Sequence, residues 1–170
     1  MDGNQRHWLG LDLRVILQHA GGRDYAGRFI EEASKKHRLK TLPTVGVELA
    51  HALIHGPTAD SRRIAANALG SLKSWKIDLL EIKPEDRAIT QAFAHLLIDR
   101  GLLSENQCSE GEILAEASIL GIQTLASDDL SLVNIPREKL NAAFSDRDLH
   151  PVQVISICQY LQDRNITWQN

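Results

Sequence analysis

Four acids in this chain, Asp12, Glu48, Glu110 and Asp129, each sit at the end of a strand-like segment or in the first turns of a helix-like one. A single acid in such a place has an ordinary use. Asp12 would cap the helix that starts at Leu13, and Glu110 would favour the amino-terminal dipole of its helix. Glu48 is a helical glutamate whose flanking Val47 and Leu49 suggest partial burial, and a buried carboxylate needs a partner. Four acids together can do more. In a parallel α/β sheet the carboxyl ends of the strands line one crevice, and carboxylates gathered there bind a hard divalent cation such as Mg²⁺ or Mn²⁺. Ser127, Asp128 and Glu112 stand beside the set. Ser127 would orient an acid, Asp128 would cap the next helix, and Glu112 competes with Glu110 for its place.

Other constellations offer less. His51 and His55 have the spacing of a zinc helix but lack the glutamate after the first histidine that the protease reaction needs. No Gly-x-Ser-x-Gly elbow and no phosphate-binding Gly-Lys-Ser/Thr loop occurs. Cys108 and Cys158 lack metal-type spacing and read as free thiols. Lys35, Lys36, Arg38 and Lys40 form a basic cluster, and Arg62 and Arg63 a second. Such runs are usually solvated faces. Beside an acid site that cuts nucleic acid they become phosphate contacts.

The elements that must position these residues alternate in type. Strands are expected at Trp8–Asp12, Leu39–Leu42, Ile77–Ile82, Ile122–Ser127 and Val152–Ser156, with helices between them. Pro43 and Pro84 open helices, and Gly56, Gly101 and Gly121 close them. The expectation is a single domain over residues 1–170, with its core from about 8 to 163. Its class is α/β: three α/β/α layers around a central, mostly parallel five-stranded sheet. Net charge is −3, so any polyanion must be held by a local basic patch. No leader-like apolar segment follows Met1 and no run is long enough for a membrane span, so the expected compartment is the cytoplasm.

In order along nearly the whole chain, the segments around the acids resemble the PIN-domain family of small metal-dependent ribonucleases. Leu11 to Leu17 is similar to its opening strand and first acid. Pro43 to Leu49 is similar to the segment with the second acid, and Glu110 to Gly121 to the third motif and its alanine-rich helix. Leu125 to Asp129 is similar to the strand that ends in Thr-x-Asp, with Ser127 for the threonine, and Val152 to Ser156 to the closing strand. The resemblance implies that Asp12, Glu48, Glu110 and Asp129 hold Mg²⁺ or Mn²⁺ and hydrolyse RNA. Arg14, Lys35, Lys36, Arg38, Lys40, Arg62 and Arg63 would then meet phosphate. It also implies a protein partner, an antitoxin or a second copy of the chain. The chain departs from the pattern at three places: Leu13 and Arg14 replace a small hydroxyl residue and Asn, and Glu110 replaces Asp. Arg14 is expected to turn outward to meet phosphate, with the site catalytic. Turned onto the acids, its charge would compete with a metal for them, and the alternative reading is a degenerate module that binds RNA or protein.

Overall fold

The computed structural model describes residues 7–167. Its strands are β1 (Trp8–Leu11), β2 (Arg38–Thr41), β3 (Ile77–Leu79), β4 (Thr124–Ser127) and β5 (Gln153–Ser156). Its helices are α1 (Leu13–Ala20), α2 (Asp24–Lys36), α3 (Pro43–His55), α4 (Ala59–Ser71), α5 (Arg87–Asp99), α6 (Cys108–Ile119), α7 (Leu130–Val133), α8 (Arg137–Ser145) and α9 (Ile157–Gln162). The five strands form one sheet in the order β3-β2-β1-β4-β5. Every pairing is parallel, so the sheet is wholly rather than mostly parallel. From β1 the chain moves outward to β2 and β3, then returns to β4 and moves outward to β5. The β1/β4 boundary is therefore a switch point, the place where an open α/β sheet leaves a crevice beyond its carboxyl edge.

Helix α1 packs on α2, α2 on α9, and α5 on α6 and α8. Right-handed crossovers put these two groups on opposite faces of the sheet. Hairpin α3/α4 rests against α1 and α6. The strands are short and apolar because both faces are covered. Leu9, Leu11, Leu39 and Leu125 are buried and join a continuous core with Val15, Ile16, Phe29 and Leu49. Phe93 stacks on Phe144 at 4.7 Å between ring centres, tying α5 to α8.

The sequence-based boundaries hold with local differences. β3 stops at Leu79 instead of Ile82, although the Leu80 amide still donates to the Thr41 carbonyl at 2.9 Å. β4 begins at Thr124, because Ile122 still belongs to the turn that closes α6. There the Ile122 amide donates to Ala117 at 2.8 Å and Gly121 adopts φ 74°. α4 ends at Ser71. Helix α7 has one turn and too few residues to show a period.

The α5–α6 contact sets where the α6 amino terminus, with Glu110, can sit. A Cβ on Gly111 would lie 2.6 Å from the Ala94 Cα and 2.8 Å from its Cβ, so the two backbones touch. Gly111→Ala is expected to lower the urea-unfolding free energy by about 1–3 kcal/mol. Gly70→Ala, where a Cβ meets nothing within 4 Å in a helix interior, is expected to raise it by roughly 0.5–1 kcal/mol. Equal effects of the two changes would refute the close contact.

Candidate active site at the sheet's carboxyl end

The site begins where β1 and β4 run out side by side. Leu11 pairs with Ala126, and the Asp12 amide extends the ladder by donating to the Ala126 carbonyl at 3.1 Å. Asp12, 3% exposed, uses one oxygen to cap α1, accepting from the Val15 amide at 2.9 Å. The buried Ser127 hydroxyl donates to its other oxygen. The same hydroxyl accepts from the Asp129 amide at 2.9 Å. Ser127 thus links both acids across the switch point, the orienting place expected of it. The capping use and the site use of Asp12 coexist in one side chain.

Asp129 also caps a helix. Its Oδ1 accepts from the Ser131 amide at 2.8 Å and the Ser131 hydroxyl at 2.7 Å, at the start of α7. The cap was expected of Asp128 and falls one residue later. Asp128 turns instead toward the α1/α2/α9 layer. Its Oδ2 accepts from Gln18 Nε2 at 2.8 Å and Tyr25 Oη at 3.0 Å, and Cys158 Sγ lies 3.9 Å from Oδ1. Asp128 is therefore an anchor between layers.

Glu48 lies one turn into α3 and is half-buried; Glu110 lies in the first turn of α6. Burial raises the pKa of both. Ser109 bonds to Glu48 and opposes the shift, while Glu110 and Glu112 repel it. Asp129 repels Glu110, and Arg14 opposes that. Asp12 is raised most, to about 7, by burial, with Ser127 and Val15 opposing and Asp129 and Asp128 adding repulsion. The four acids form an electrostatic chain: Asp12 acts on Asp129, Asp129 on Glu110, and Glu110 on Glu48.

Arg14 is turned onto the acids, and the expected outward pose is corrected. Its Nε lies 3.1 Å from Asp129 Oδ2, although 60% of the side chain remains exposed. Its position in the first turn of α1, two residues past Asp12, places Arg14 over β4's end, where a carboxylate is the nearest charge.

Glu116 and Arg87 were not singled out in the sequence. Glu116, 2% exposed, accepts from the Thr44 hydroxyl at 2.7 Å and the Thr44 amide at 3.1 Å. It caps α3 from another helix, because Leu42 at the cap position has no side-chain acceptor. A glutamate inside the apolar run Ile113–Ala117 was the available signal. Glu112 belongs to this neighbourhood, accepting from Thr44 Oγ1 at 3.4 Å. Thr44, Glu48, Arg87, Ser109, Glu112 and Glu116 line a cleft of about 250 Å³.

An all-carboxylate set suits a hard cation in its donor chemistry. Its arrangement is not closed: among the described residues no group of three or more His, Cys, Asp or Glu lies close enough to hold a metal ion. Arg14 already pairs with an oxygen of Asp129. The His51 and His55 rings lie 4.7 Å apart, tilted by 44°, and join no such group.

The basic residues separate from the site. Helix α2 runs back along the sheet, so Lys35 and Lys36 finish it beside the start of β2, where Arg38 pairs with Trp8 at the amino end. Lys35 is bound to Glu31 and Glu32, and Lys40 is buried against Asp78. Arg62 donates to the Gly56 carbonyl at 2.6 Å and Arg63 pairs with Asp60, both at the start of α4. Of the seven cations expected to meet phosphate at the acids, Arg14 alone reaches them.

The fold is that of the PIN domain. The chain is similar to VapBC2 from Rickettsia felis, solved bound to a DNA fragment from their promoter, with a TM-score of 0.61 and 13% identity over 88% of this chain and 98% of that one. It is similar to VapBC-1 from nontypeable Haemophilus influenzae, with a TM-score of 0.56 and 16% identity over 89% and 98%. No family model matches the sequence. No curated protein matches it either. No helix among the described residues is long and apolar enough to cross a membrane.

The raised acids make stability pH-dependent. A carboxyl whose folded pKa exceeds its unfolded value binds more protons in the folded state, so its contribution is full below the unfolded pKa and is lost as pH rises through the folded one. For Asp12 that window runs from 3.8 to about 7. Melting temperature is expected to fall across it beyond what other groups explain, and Asp12→Asn is expected to flatten that fall. An unchanged profile in the variant would show that Asp12 is ionised throughout.

Proposed function

We propose that this chain is a divalent-metal-dependent ribonuclease acting as the toxin of a toxin–antitoxin pair in the cytoplasm. One observation carries the reading: Ser127 joins Asp12 and Asp129 at the switch point of the sheet, while Asp129 repels Glu110 and Glu110 repels Glu48. These four residues would hold Mg²⁺ or Mn²⁺. Bound there, the ion supplies a Lewis acid for the scissile phosphate and lowers the pKa of a water. Ser127 keeps the Asp12 carboxylate and the Asp129 backbone in one geometry. Glu116 fixes the first turn of α3 and with it the height of Glu48. Arg14 leaves Asp129 when a phosphate offers it a better-matched anion. The likeness to two VapBC structures supports a protein partner, here an antitoxin, and a second copy of the chain is the other candidate.

The Arg14–Asp129 pair favours a second reading, a catalytically silent domain that binds RNA or protein. Its guanidinium would then replace the ion as the acids' permanent counter-charge. Cleavage of unstructured RNA, assayed with Mn²⁺, Mg²⁺ or chelator, separates the two. The nuclease reading expects cleavage that chelator abolishes and that Asp12→Asn or Asp129→Asn lowers at least a hundredfold, on the order of the loss when charge and geometry go together. The silent reading expects no cleavage by the wild type, with tight Mn²⁺ binding only in Arg14→Asn.

A further inference from the structure

The two ends of the sheet are opposite in charge. At the carboxyl end, the cleft holds Glu48, Glu112 and Glu116 against one cation, Arg87. At the amino end, two clefts of about 460 and 700 Å³ share lining residues and form one groove, and a third of about 740 Å³ adjoins it and runs along β5 toward Ser156 and Cys158. The first and second meet at Gly121 and Gln123, and the second and third at His37 and Thr124. Arg38, Arg137, Arg164, His37 and His150 stand along it, and Asp163 is the one acid among its described lining residues. Asp163 is engaged by Gln159, whose Nε2 donates to it at 2.6 Å.

Three details make this more than a solvated basic face. Arg38, Arg137 and Arg164 have no ion-pair partner among the described residues, unlike Lys35, Lys40 and Arg63. His37 Nδ1 is buried without a hydrogen-bond partner, a cost that a ligand can remove. Trp8, 39% exposed, contributes a ring to the wall, with Lys40 Nζ 4.7 Å from its centre. Cations, an imidazole with one unpaired nitrogen and an exposed aromatic, in a groove whose one acid is already engaged, make a track for a single-stranded polynucleotide: charges for phosphates and a ring on which a base stacks.

We propose that the groove at the sheet's amino end, walled by Trp8, His37, Arg38, Arg137, His150 and Arg164, binds the backbone of single-stranded RNA at a site separate from the acid cleft. The choice of RNA rests on the ribonuclease reading above; the groove does not. Four acids at the carboxyl end repel an approaching strand, and the net charge of −3 gives no general attraction. The strand must be held elsewhere. From Trp8 to Asp12 the chain rises about 13 Å at 3.3 Å per residue, so the groove serves RNA long enough to pass from one end to the other.

The test is fluorescence anisotropy of a labelled, unstructured long RNA with the full chain in excess chelator, so that neither cleavage nor metal enters. The double variant Arg38→Glu with Arg137→Glu is expected to bind at least about tenfold more weakly, with a salt slope shallower by about 0.7 for each phosphate left without its cation. Arg38→Lys with Arg137→Lys is expected to retain most of the affinity, and both variants to melt with the wild type. Affinity unchanged by charge reversal would overturn the proposal, as would an equal weakening in the lysine variant. Duplex DNA that outcompetes the RNA through the same two arginines would overturn the RNA assignment. Failure to cleave RNA in the metal assay leaves all of these outcomes readable, because none of them depends on catalysis.

Discussion

The hydroxyl of Ser127 holds the site together. It donates to Asp12 and accepts from the amide of Asp129, at the point where two parallel strands leave the sheet side by side. Without that bridge, two carboxylates in a buried crevice would repel each other and drive the ends of β1 and β4 apart. With it, one acid is oriented by a charge-assisted hydrogen bond and the next is fixed through its backbone. Most of the surrounding architecture maintains this arrangement. The caps on α1 and α7 use one oxygen of each carboxylate, and Asp128 locks the same stretch of chain to α1, α2 and α9 from behind.

Glu48 and Glu110 are positioned differently. Neither follows a strand directly; each depends on how a helix is seated. Glu116 seats α3 by capping it across the helix–helix contact, and Gly111 seats α6 by letting its backbone touch α5. A polar tether and a steric allowance do the same work on neighbouring helices. Both are sensitive to single atoms, since one removes a buried orphan amide and the other leaves no room for a methyl group.

The strands and long helices were legible in the sequence because their apolar periods, prolines and glycines agree with one another. Gly121 closes α6 and Pro43 opens α3 where the pattern required. The placement of the four acids, at strand ends and in first helical turns, was legible because position at the end of an element needs no three-dimensional knowledge. What was not legible depends on direction. Asp128 and Asp129 are adjacent, and nothing in their order tells which faces the cleft. Arg14 follows Asp12 by two positions, and its contact with Asp129 exists because a strand more than a hundred residues later lies beside β1. The lysines and arginines from Lys35 to Lys40 look close to the acids in a linear reading, yet a helix that runs back along the sheet delivers them to the other end.

The bridge between Asp12 and Ser127 spans 115 positions in sequence. β1 is made before β2 and β3 and is central in the finished sheet, but β4, the strand that completes its carboxyl edge, comes after all three. During synthesis the first half of the chain can pair β1 with β2 and β3 and still have no crevice. Closing so long a loop is costly in chain entropy and slow relative to local pairing. Asp12 and Asp129 therefore acquire their shared electrostatics only once β4 has been made and paired with β1. A chain interrupted before Thr124 carries three of the four acids and none of the site.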